Sequence, residues 1–78
     1  MVMSWVYVLL KTEPSQMENV LEKIRKIDGV EEAYMVYGLY DILIKVKGKL
    51  PKELKAIVQR IRSQDNVRTP LTLMVIKE

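Results

Sequence analysis

Residues 30–46 read VEEAYMVYGLYDILIKV, and the fold of the chain depends on this stretch. Residues 30–37 and 40–48 each have the composition of a β-strand, and a turn around Gly38 joins them. A connection this short favours a hairpin of two antiparallel strands. Asp41 follows the turn, at the start of the second strand. We therefore expect any small-molecule site of this chain at this corner first.

Two further strands are predicted near the two ends of the sequence. Residues 3–11 are rich in β-branched and aromatic side chains, and residues 67–77 form another apolar run. Both runs carry apolar residues on both alternating sides, and a strand of that kind is covered on both sides. Pro70 cannot donate a ladder hydrogen bond, so its part of the last strand is predicted to be an edge, a bulge or the strand's start.

Two amphipathic helices are predicted between these strands. Ser15 and Glu18 have the spacing of a capping box after Pro14, and Gly29 is well placed to end the first helix. The second helix is predicted to begin near Pro51. In both helices apolar residues recur at three- and four-residue spacings, which predicts one buried face. These residues are Met17, Val20, Leu21, Ile24 and Ile27 in the first helix, and Leu54, Ile57, Val58 and Ile61 in the second.

The predicted order is strand, helix, strand, strand, helix, strand. With right-handed crossovers this order gives an α+β, ferredoxin-like βαββαβ domain, whose four-stranded antiparallel sheet carries both helices on one face. The bare face is also predicted to be apolar, because the outer runs are apolar on both sides. A patch of that kind marks an interface, so we expect two sheets to pack face to face in a homodimer.

Composition limits what the site can be. At 78 residues the chain is expected to be one domain, 1–78, in which folding buries only about 60% of the unfolded surface. The sequence has no cysteine and no histidine, so a disulfide or thiolate metal site is excluded and the commonest zinc ligand is missing. Oligomerisation is the remaining way to supplement the core. No catalytic constellation, metal site or cofactor site is predicted.

The charge pattern favours neither nucleic acid nor a membrane. The net charge of +3 is spread over mixed signs, and five lysines between residues 45 and 55 favour a solvated face over a phosphate-binding surface. The apolar run at the N-terminus is too short to cross a bilayer. We expect a soluble, cytoplasmic protein.

Local chemistry leaves two interpretations open for each residue of the corner. Asp41 is either an acceptor for a cationic group, such as the ammonium of an amino acid, or a turn residue that caps backbone amides. Gly38 either supplies a positive φ or allows a ligand to approach the backbone closely. Tyr34, Tyr37 and Tyr40 form either cross-strand packing contacts or a recognition surface.

Several segments together resemble the effector-binding and oligomerisation (RAM) domain of the leucine-responsive Lrp/AsnC transcription regulators. The similar segments are YVLLKTEP at residues 7–14, IDGV at 27–30, and VRTPLTLMVIK at 67–77. Residues 38–41 match the family's G-x-[YF]-D turn, and ILIKV follows directly. The resemblance covers essentially the whole chain.

The resemblance implies a βαββαβ protomer that dimerises through its sheet and assembles further into rings, commonly octamers. It also implies that an amino acid or similar small effector binds between dimers, near the turn and the last strand. Carried over by matching position, this nominates Tyr37, Gly38, Tyr40, Asp41 and Thr72 as ligand-binding residues. Backbone amides at a glycine turn suit a carboxylate, and Asp41 suits an ammonium group.

The sequence departs from the family pattern in two ways, and each limits what the resemblance implies about function. Pro70 and Leu71 stand where family members usually have a small hydroxyl residue and a polar residue, so the effector is expected to be altered, less polar or absent. The helix-turn-helix of full-length regulators is missing upstream, so we expect a stand-alone domain that binds no DNA itself. It is expected either to sense a metabolite or to join mixed oligomers with full-length Lrp/AsnC regulators.

Two other classes of function remain open. One is a purely structural assembly domain. The other is a cofactor-independent monooxygenase or isomerase with facing sheets, in which Trp5, Tyr7, Tyr34 or Asp41 would act without histidine.

Overall fold

A computed structural model describes residues 4–74 and confirms the predicted order of elements. The elements are β1 (Ser4–Thr12), a 3₁₀ turn (Pro14–Gln16), α1 (Met17–Arg25), β2 (Val30–Met35), β3 (Ile42–Gly48), α2 (Pro51–Arg62) and β4 (Val67–Met74). The strands form one antiparallel sheet in the order β2-β3-β1-β4. This is the predicted ferredoxin-like architecture. Residue 3 of the predicted first strand and residues 75–77 of the predicted last strand lie outside the described residues.

Both helices pack on one face of the sheet, as predicted, and the hydrophobic core lies between that face and the helices. Alternate residues of the strands meet the apolar stripes of the helices, and burial of these aliphatic side chains is the main stabilising term. The buried residues are Val6, Val8, Leu10, Ala33, Ile42, Ile44 and Val46 of the sheet, with Val20, Leu21, Ile24, Leu54, Val58 and Ile61 of the helices.

The start of the first helix differs from the prediction. Ser15 lies inside the 3₁₀ turn, and neither this turn nor α1 has a side-chain hydrogen bond at its N-cap. The predicted capping box is therefore wrong. Pro14, at the first position of the 3₁₀ turn, moves Ser15 past the place where a capping residue must stand. At the other end of α1, Arg25 donates to the Ala33 carbonyl from Nε at 3.1 Å and from Nη2 at 2.8 Å, which ties the helix to β2.

The connection between β2 and β3 is longer than the predicted turn. It comprises residues 36–41, which we call the corner loop, and it replaces the short hairpin turn around Gly38. The backbone N–H of Val36 donates to the Asp41 carbonyl at 2.9 Å and closes the base of this loop. Tyr37 and Leu39 are exposed beyond that bond, so no strand pairing extends to the tip.

The last strand confirms the prediction for Pro70. β4 is an edge strand, and its register with β1 shifts between Leu9 and Lys11, where the ladder passes from Leu71 to Arg68. Thr69 has a φ of +46° within this irregular segment. The bulge therefore accommodates a residue that cannot donate to the ladder.

The face of the sheet away from the helices, which we call the open face, presents two rows of side chains. One row is apolar and crosses all four strands through Tyr34, Leu43, Leu9 and Leu71. The next row is mixed and consists of Glu32, Lys45, Tyr7 and Leu73. No described element covers either row. The first row agrees with the prediction of an apolar bare face, whereas the second row is only partly apolar because it includes Glu32 and Lys45.

Trp5 continues the open face beyond the mixed row. The Nζ atoms of Lys45 and Lys47 lie 4.7 Å and 5.8 Å from the centroid of its ring. Lys47 also pairs with Glu31 at 3.3 Å. These distances place both ammonium groups near the Trp5 ring, within the range of a cation–π interaction.

Tyr34, which begins the apolar row, has a polar end. Its hydroxyl donates to Glu32 Oε1 at 2.8 Å, and this hydrogen bond is the largest cause of the raised pKa of the Tyr34 phenol. The phenol is therefore neutral and acts as a donor near neutral pH.

Among residues 4–74, no helix has both the length and the apolar character needed to cross a membrane.

Candidate functional site

Asp41 anchors the corner loop to β1 through two hydrogen bonds. Its backbone N–H donates to the Leu10 carbonyl at 2.7 Å, next to Leu10–Ile42, the last residue pair of the β1–β3 ladder. Its side chain accepts a hydrogen bond from the Thr12 backbone N–H at Oδ2, at 2.8 Å. Main chain and side chain of Asp41 thus both bind the end of β1. The carboxylate therefore accepts from a backbone amide, but that amide belongs to β1 and not to the turn itself, where a capping residue would act.

The carboxylate of Asp41 keeps acceptor capacity beyond this hydrogen bond. A carboxylate offers about four lone-pair sites, and only Oδ2 is engaged by the described residues. The side chain is half-buried, so its second oxygen can meet a ligand from the solvent side. The hydrogen bond to Thr12 and the role of ammonium acceptor are therefore geometrically compatible.

The tip of the corner loop is open. Gly38 has a φ of +134°, a conformation that favours glycine, and a Cβ built on it would meet nothing within 4 Å. Tyr37 is fully exposed and Leu39 is 81% exposed, whereas Tyr40 is half-buried. The backbone N–H groups of residues 37–40 donate to no backbone oxygen of the described chain. Free N–H groups beside a carboxylate can bind the two ends of an amino acid.

Thr12 is a residue of this corner whose importance the sequence did not reveal. Its side chain is 5% exposed, and its Oγ1 atom has no hydrogen-bond partner among the described residues. The predicted first strand ends at residue 11, so the sequence places Thr12 outside it. Its strand pairing with Val67 buries it instead, and only the folded sheet places its backbone N–H against Asp41.

Thr72 lies apart from the corner loop in a single chain. It pairs with Val8, on the β4 side of β1, whereas Asp41 contacts the end of β1 from the β3 side. Val8 and Thr12 lie four positions apart in β1, which corresponds to about 13 Å along an extended strand. The structure therefore brings Tyr37, Gly38, Tyr40 and Asp41 together in one loop and leaves Thr72 elsewhere.

Thr72 instead lines a groove between the second helix and the edge strand, which we call the α2–β4 groove. The groove has a volume of about 400 Å³. The residues that line it are Val6, Pro51, Leu54, Lys55, Val58, Gln59, Arg62, Thr72 and Met74. Its floor is aliphatic, and Lys55 and Arg62 stand exposed along its helical side.

The part of the chain that the structure describes contains no cluster of three or more metal-ligating side chains. A second cavity of about 310 Å³ lies near the start of α1, lined among others by Pro14, Glu18 and Met35. A third, of about 350 Å³, lies between Asp28, Glu53 and Arg60. Neither cavity includes a residue nominated for ligand binding.

This geometry defines a ferredoxin-like domain with an open sheet face and a polar, open loop at one corner. The sequence matches the family model described as the Lrp/AsnC ligand binding domain over residues 5–78. That match includes nearly the whole chain, so the chain belongs to this family. The resemblance seen in the sequence motifs is thereby confirmed.

Solved structures of similar proteins agree with this assignment. TTHA0845 from Thermus thermophilus superposes with a TM-score of 0.90 at 28% identity, over 96% of this chain and 95% of that one. A feast or famine regulatory protein from M. tuberculosis, complexed with L-methionine, superposes with a TM-score of 0.79 at 25% identity. The superposition covers 96% of this chain and 51% of the regulator.

One relative of this chain carries the name of an enzyme. Homocitrate synthase of Saccharolobus islandicus is 40% identical over 60 residues, which are 77% of this chain. The matched region is only 13% of the synthase, so the chain spans a small part of that relative's length. The same kind of domain therefore occurs within a protein that carries an enzyme's name.

Proposed function

We propose that this domain binds a free amino acid at the corner loop and links that binding to self-assembly, so that it regulates a partner without catalysing a reaction. The observation that carries the proposal is Asp41, which is held by Thr12 while its second oxygen stays available beside the free N–H groups of the loop. The family match to a ligand binding domain and the methionine complex of a relative support it.

The two ends of an amino acid fit the loop in one orientation. Asp41 accepts hydrogen bonds from the ammonium group, which are charge-assisted and stronger than neutral ones. The N–H groups of residues 37–40 receive the carboxylate. Tyr37 and Tyr40 then flank the side chain of the ligand.

Assembly is the second half of the proposal. The apolar row of the open face packs against the same row of a second copy, which gives the sheet-to-sheet homodimer, and dimers join into an octamer-like ring. Because Thr72 is distant from Asp41 in one chain, it contributes to a site only through a neighbouring copy. Residues 1–78 then act as one cytoplasmic domain that joins full-length Lrp/AsnC regulators.

A thermal-shift screen against the twenty amino acids tests the binding half. Ligand at 100 times its Kd stabilises the folded state by about 2.7 kcal/mol, which raises Tm by several degrees. We expect a subset of amino acids to do so. Asp41→Asn is the sharpest variant, because the asparagine carbonyl can still accept from Thr12 while the negative charge is lost.

The matched control is Asp65→Asn, which removes the same charge at an exposed position. We expect Asp65→Asn to keep the ligand-induced shift and Asp41→Asn to lose it with an unchanged Tm in the absence of ligand. A full shift in Asp41→Asn would remove Asp41 from the site.

The homocitrate synthase match favours a second candidate, in which the regulated partner is a biosynthetic enzyme instead of a transcription regulator. Two binding assays separate the candidates. Co-sedimentation with a purified Lrp/AsnC regulator tests the first, and co-sedimentation with a purified homocitrate synthase tests the second. The chain itself is expected to give no specific gel shift with DNA; tight specific binding would contradict that part of the proposal.

A further inference from the structure

The sheet has two edges, and they are protected in different ways. β4 is interrupted by Pro70 and by the shift in register between Arg68 and Leu71, and an interrupted strand is a poor template for pairing. β2, at the other edge, has the sequence VEEAYM, which contains no proline or glycine. We propose that Arg25 closes this second edge, because it occupies the backbone carbonyl through which the β2 strand of a second copy would pair. The proposal does not depend on amino-acid binding.

Alternation along β2 identifies the backbone groups that point out of the sheet. The Val36 N–H donates to the Asp41 carbonyl, so these two residues form a hydrogen-bonded pair at the end of the ladder. Residue pairs of an antiparallel ladder alternate between hydrogen-bonded and non-hydrogen-bonded. Counted back from Val36, Met35 and Ala33 belong to non-hydrogen-bonded pairs. Their N–H and C=O groups therefore point away from β3, to the open edge of the sheet.

Arg25 occupies one of these outward groups. Its Nε and Nη2 atoms donate to the Ala33 carbonyl at 3.1 Å and 2.8 Å. A carbonyl oxygen has two lone pairs, so two donors fill its capacity to accept. An added strand would lie about 4.8 Å from β2, in the space where the guanidinium group stands. Arg25 therefore blocks the edge both by occupying its acceptor and by excluding a neighbouring strand.

β2 is self-complementary at the blocked position. In an antiparallel pair of β2 strands centred on Ala33, Glu31 would lie opposite Met35 of the second copy. Glu32 would lie opposite Tyr34, with which it already forms a hydrogen bond of 2.8 Å within one chain. No two glutamates would be directly opposite each other, so like-charge repulsion would not prevent this register. The central pair would exchange two hydrogen bonds through the Ala33 carbonyl, which is the group that the guanidinium occupies.

The second copy is therefore the partner that an unblocked β2 edge would accept. The pairing would join two four-stranded sheets edge to edge with two-fold symmetry. This contact is separate from the open face, so it could add to any assembly formed there. In the unmodified chain, Arg25 confines association to surfaces other than the β2 edge.

Arg25→Met tests the proposal, because methionine keeps an unbranched apolar stem and loses every donor. Arg60→Met is the matched control, since it removes the same charge from the exposed side of α2. In sedimentation velocity at equal concentration, we expect Arg25→Met to reach about twice the mass of the unmodified chain or more, as edge pairing adds copies. Arg60→Met should match the unmodified chain. An unchanged mass for Arg25→Met would overturn the proposal.

A second substitution locates the new contact. The Met35 N–H points out of the sheet, so Met35→Pro removes a donor from the edge without removing a bond of the internal ladder. The double variant Arg25→Met with Met35→Pro should return to the mass of the unmodified chain. Larger species that persist in the double variant would show that another surface is responsible, and would overturn the assignment to the β2 edge.

Hydrogen exchange provides a readout that does not depend on mass. In Arg25→Met at high protein concentration, exchange of the Met35 N–H should be slower than in the unmodified chain by roughly tenfold or more, because this group becomes bonded to the second copy. Equal exchange rates would contradict edge pairing. Cooperative thermal unfolding verifies that each variant is folded, and Arg25→Gln replaces Arg25→Met if the apolar variant is not.

Discussion

Neighbouring residues of the two central strands, β1 and β3, point alternately to two faces of the sheet with different chemistry. On the covered face, Val8 pairs with Ile44, and both are completely buried under the helices. On the open face, Tyr7 pairs with Lys45, and both are only half-buried. The first face is aliphatic except for the buried Thr12 at the end of β1, whereas the second combines aromatic, aliphatic and charged residues. The covered face stabilises the single chain, and the open face is available to a partner.

The largest effect is expected from a pair of alanine substitutions one residue apart. Ile44→Ala removes a fully buried side chain and should lower the free energy of unfolding by about 2–5 kcal/mol. Leu43→Ala should cost less at low protein concentration, and its cost should rise with concentration because it weakens a dimer. Urea denaturation at two concentrations measures both. Equal, concentration-independent costs would contradict the distinction between the faces.

Substitutions at two glycines allow a closely packed position, Gly29, to be compared with an open one, Gly38 in the corner loop. Gly29 and Gly38 both have positive φ, but a Cβ on Gly29 would overlap Ile57 Cδ1, whereas one on Gly38 meets nothing. Each alanine substitution carries a backbone cost of about 1–2 kcal/mol. Gly29→Ala should add about 1–3 kcal/mol of overpacking.

The double variant Gly29→Ala with Ile57→Ala isolates that steric part, because it removes the side chain that the new Cβ would meet. We expect the cost of the two changes together to be less than the sum of their separate costs, measured by urea denaturation. Strictly additive costs would show that the neighbouring backbone yields instead.

A charged residue in the apolar row should separate assembly from folding. Leu43→Glu would bury an unpaired carboxylate in the proposed dimer, so its dissociation constant should rise by roughly 100-fold or more. The isolated chain should stay folded, because Leu43 faces away from the helices. Asn19→Glu adds the same charge on α1 and is the control. Light scattering that finds identical masses for both variants would exclude the open face as the interface.

The smallest effect is expected where lysine meets tryptophan. Lys45→Gln removes the closer of the two ammonium groups over Trp5 and should cost about 1 kcal/mol or less in unfolding free energy. This variant keeps Lys47, whose Nζ lies 5.8 Å from the centroid of the Trp5 ring. A cost above about 2 kcal/mol would mean that this part of the open face stabilises the single chain more than its exposure suggests.

The architecture was predictable because its signal is repeated. Alternation in the strands and the three- and four-residue spacing in the helices each indicate the buried face at several positions. A misinterpretation of one residue therefore does not change the predicted fold. The position of Pro70 was also predictable, because proline cannot donate a ladder hydrogen bond and is confined to edges, bulges or strand starts. It lies at the bulge of the edge strand β4.

Local details were not predictable in the same way. Gly38 marks the turn, but residues 34–37 are apolar or aromatic with strand propensity, so nothing in the sequence shows that pairing already ends at Met35. The spacing of Ser15 and Glu18 matched a capping box, but Pro14 set a 3₁₀ turn first. The hydrogen bond between Asp41 and Thr12 joins residues 29 positions apart, and the separation of Thr72 from Asp41 depends on the strand order.

We propose that this domain is incomplete as a single chain, because no described element covers its apolar row and Thr72 lies apart from Asp41. Sedimentation equilibrium of the unmodified protein at micromolar concentration is the direct test of that incompleteness. We predict a mass of at least twice the 9.1 kDa of one chain, falling towards 9.1 kDa only on strong dilution or in Leu43→Glu. A mass of 9.1 kDa at micromolar concentration would show instead that the single chain is complete.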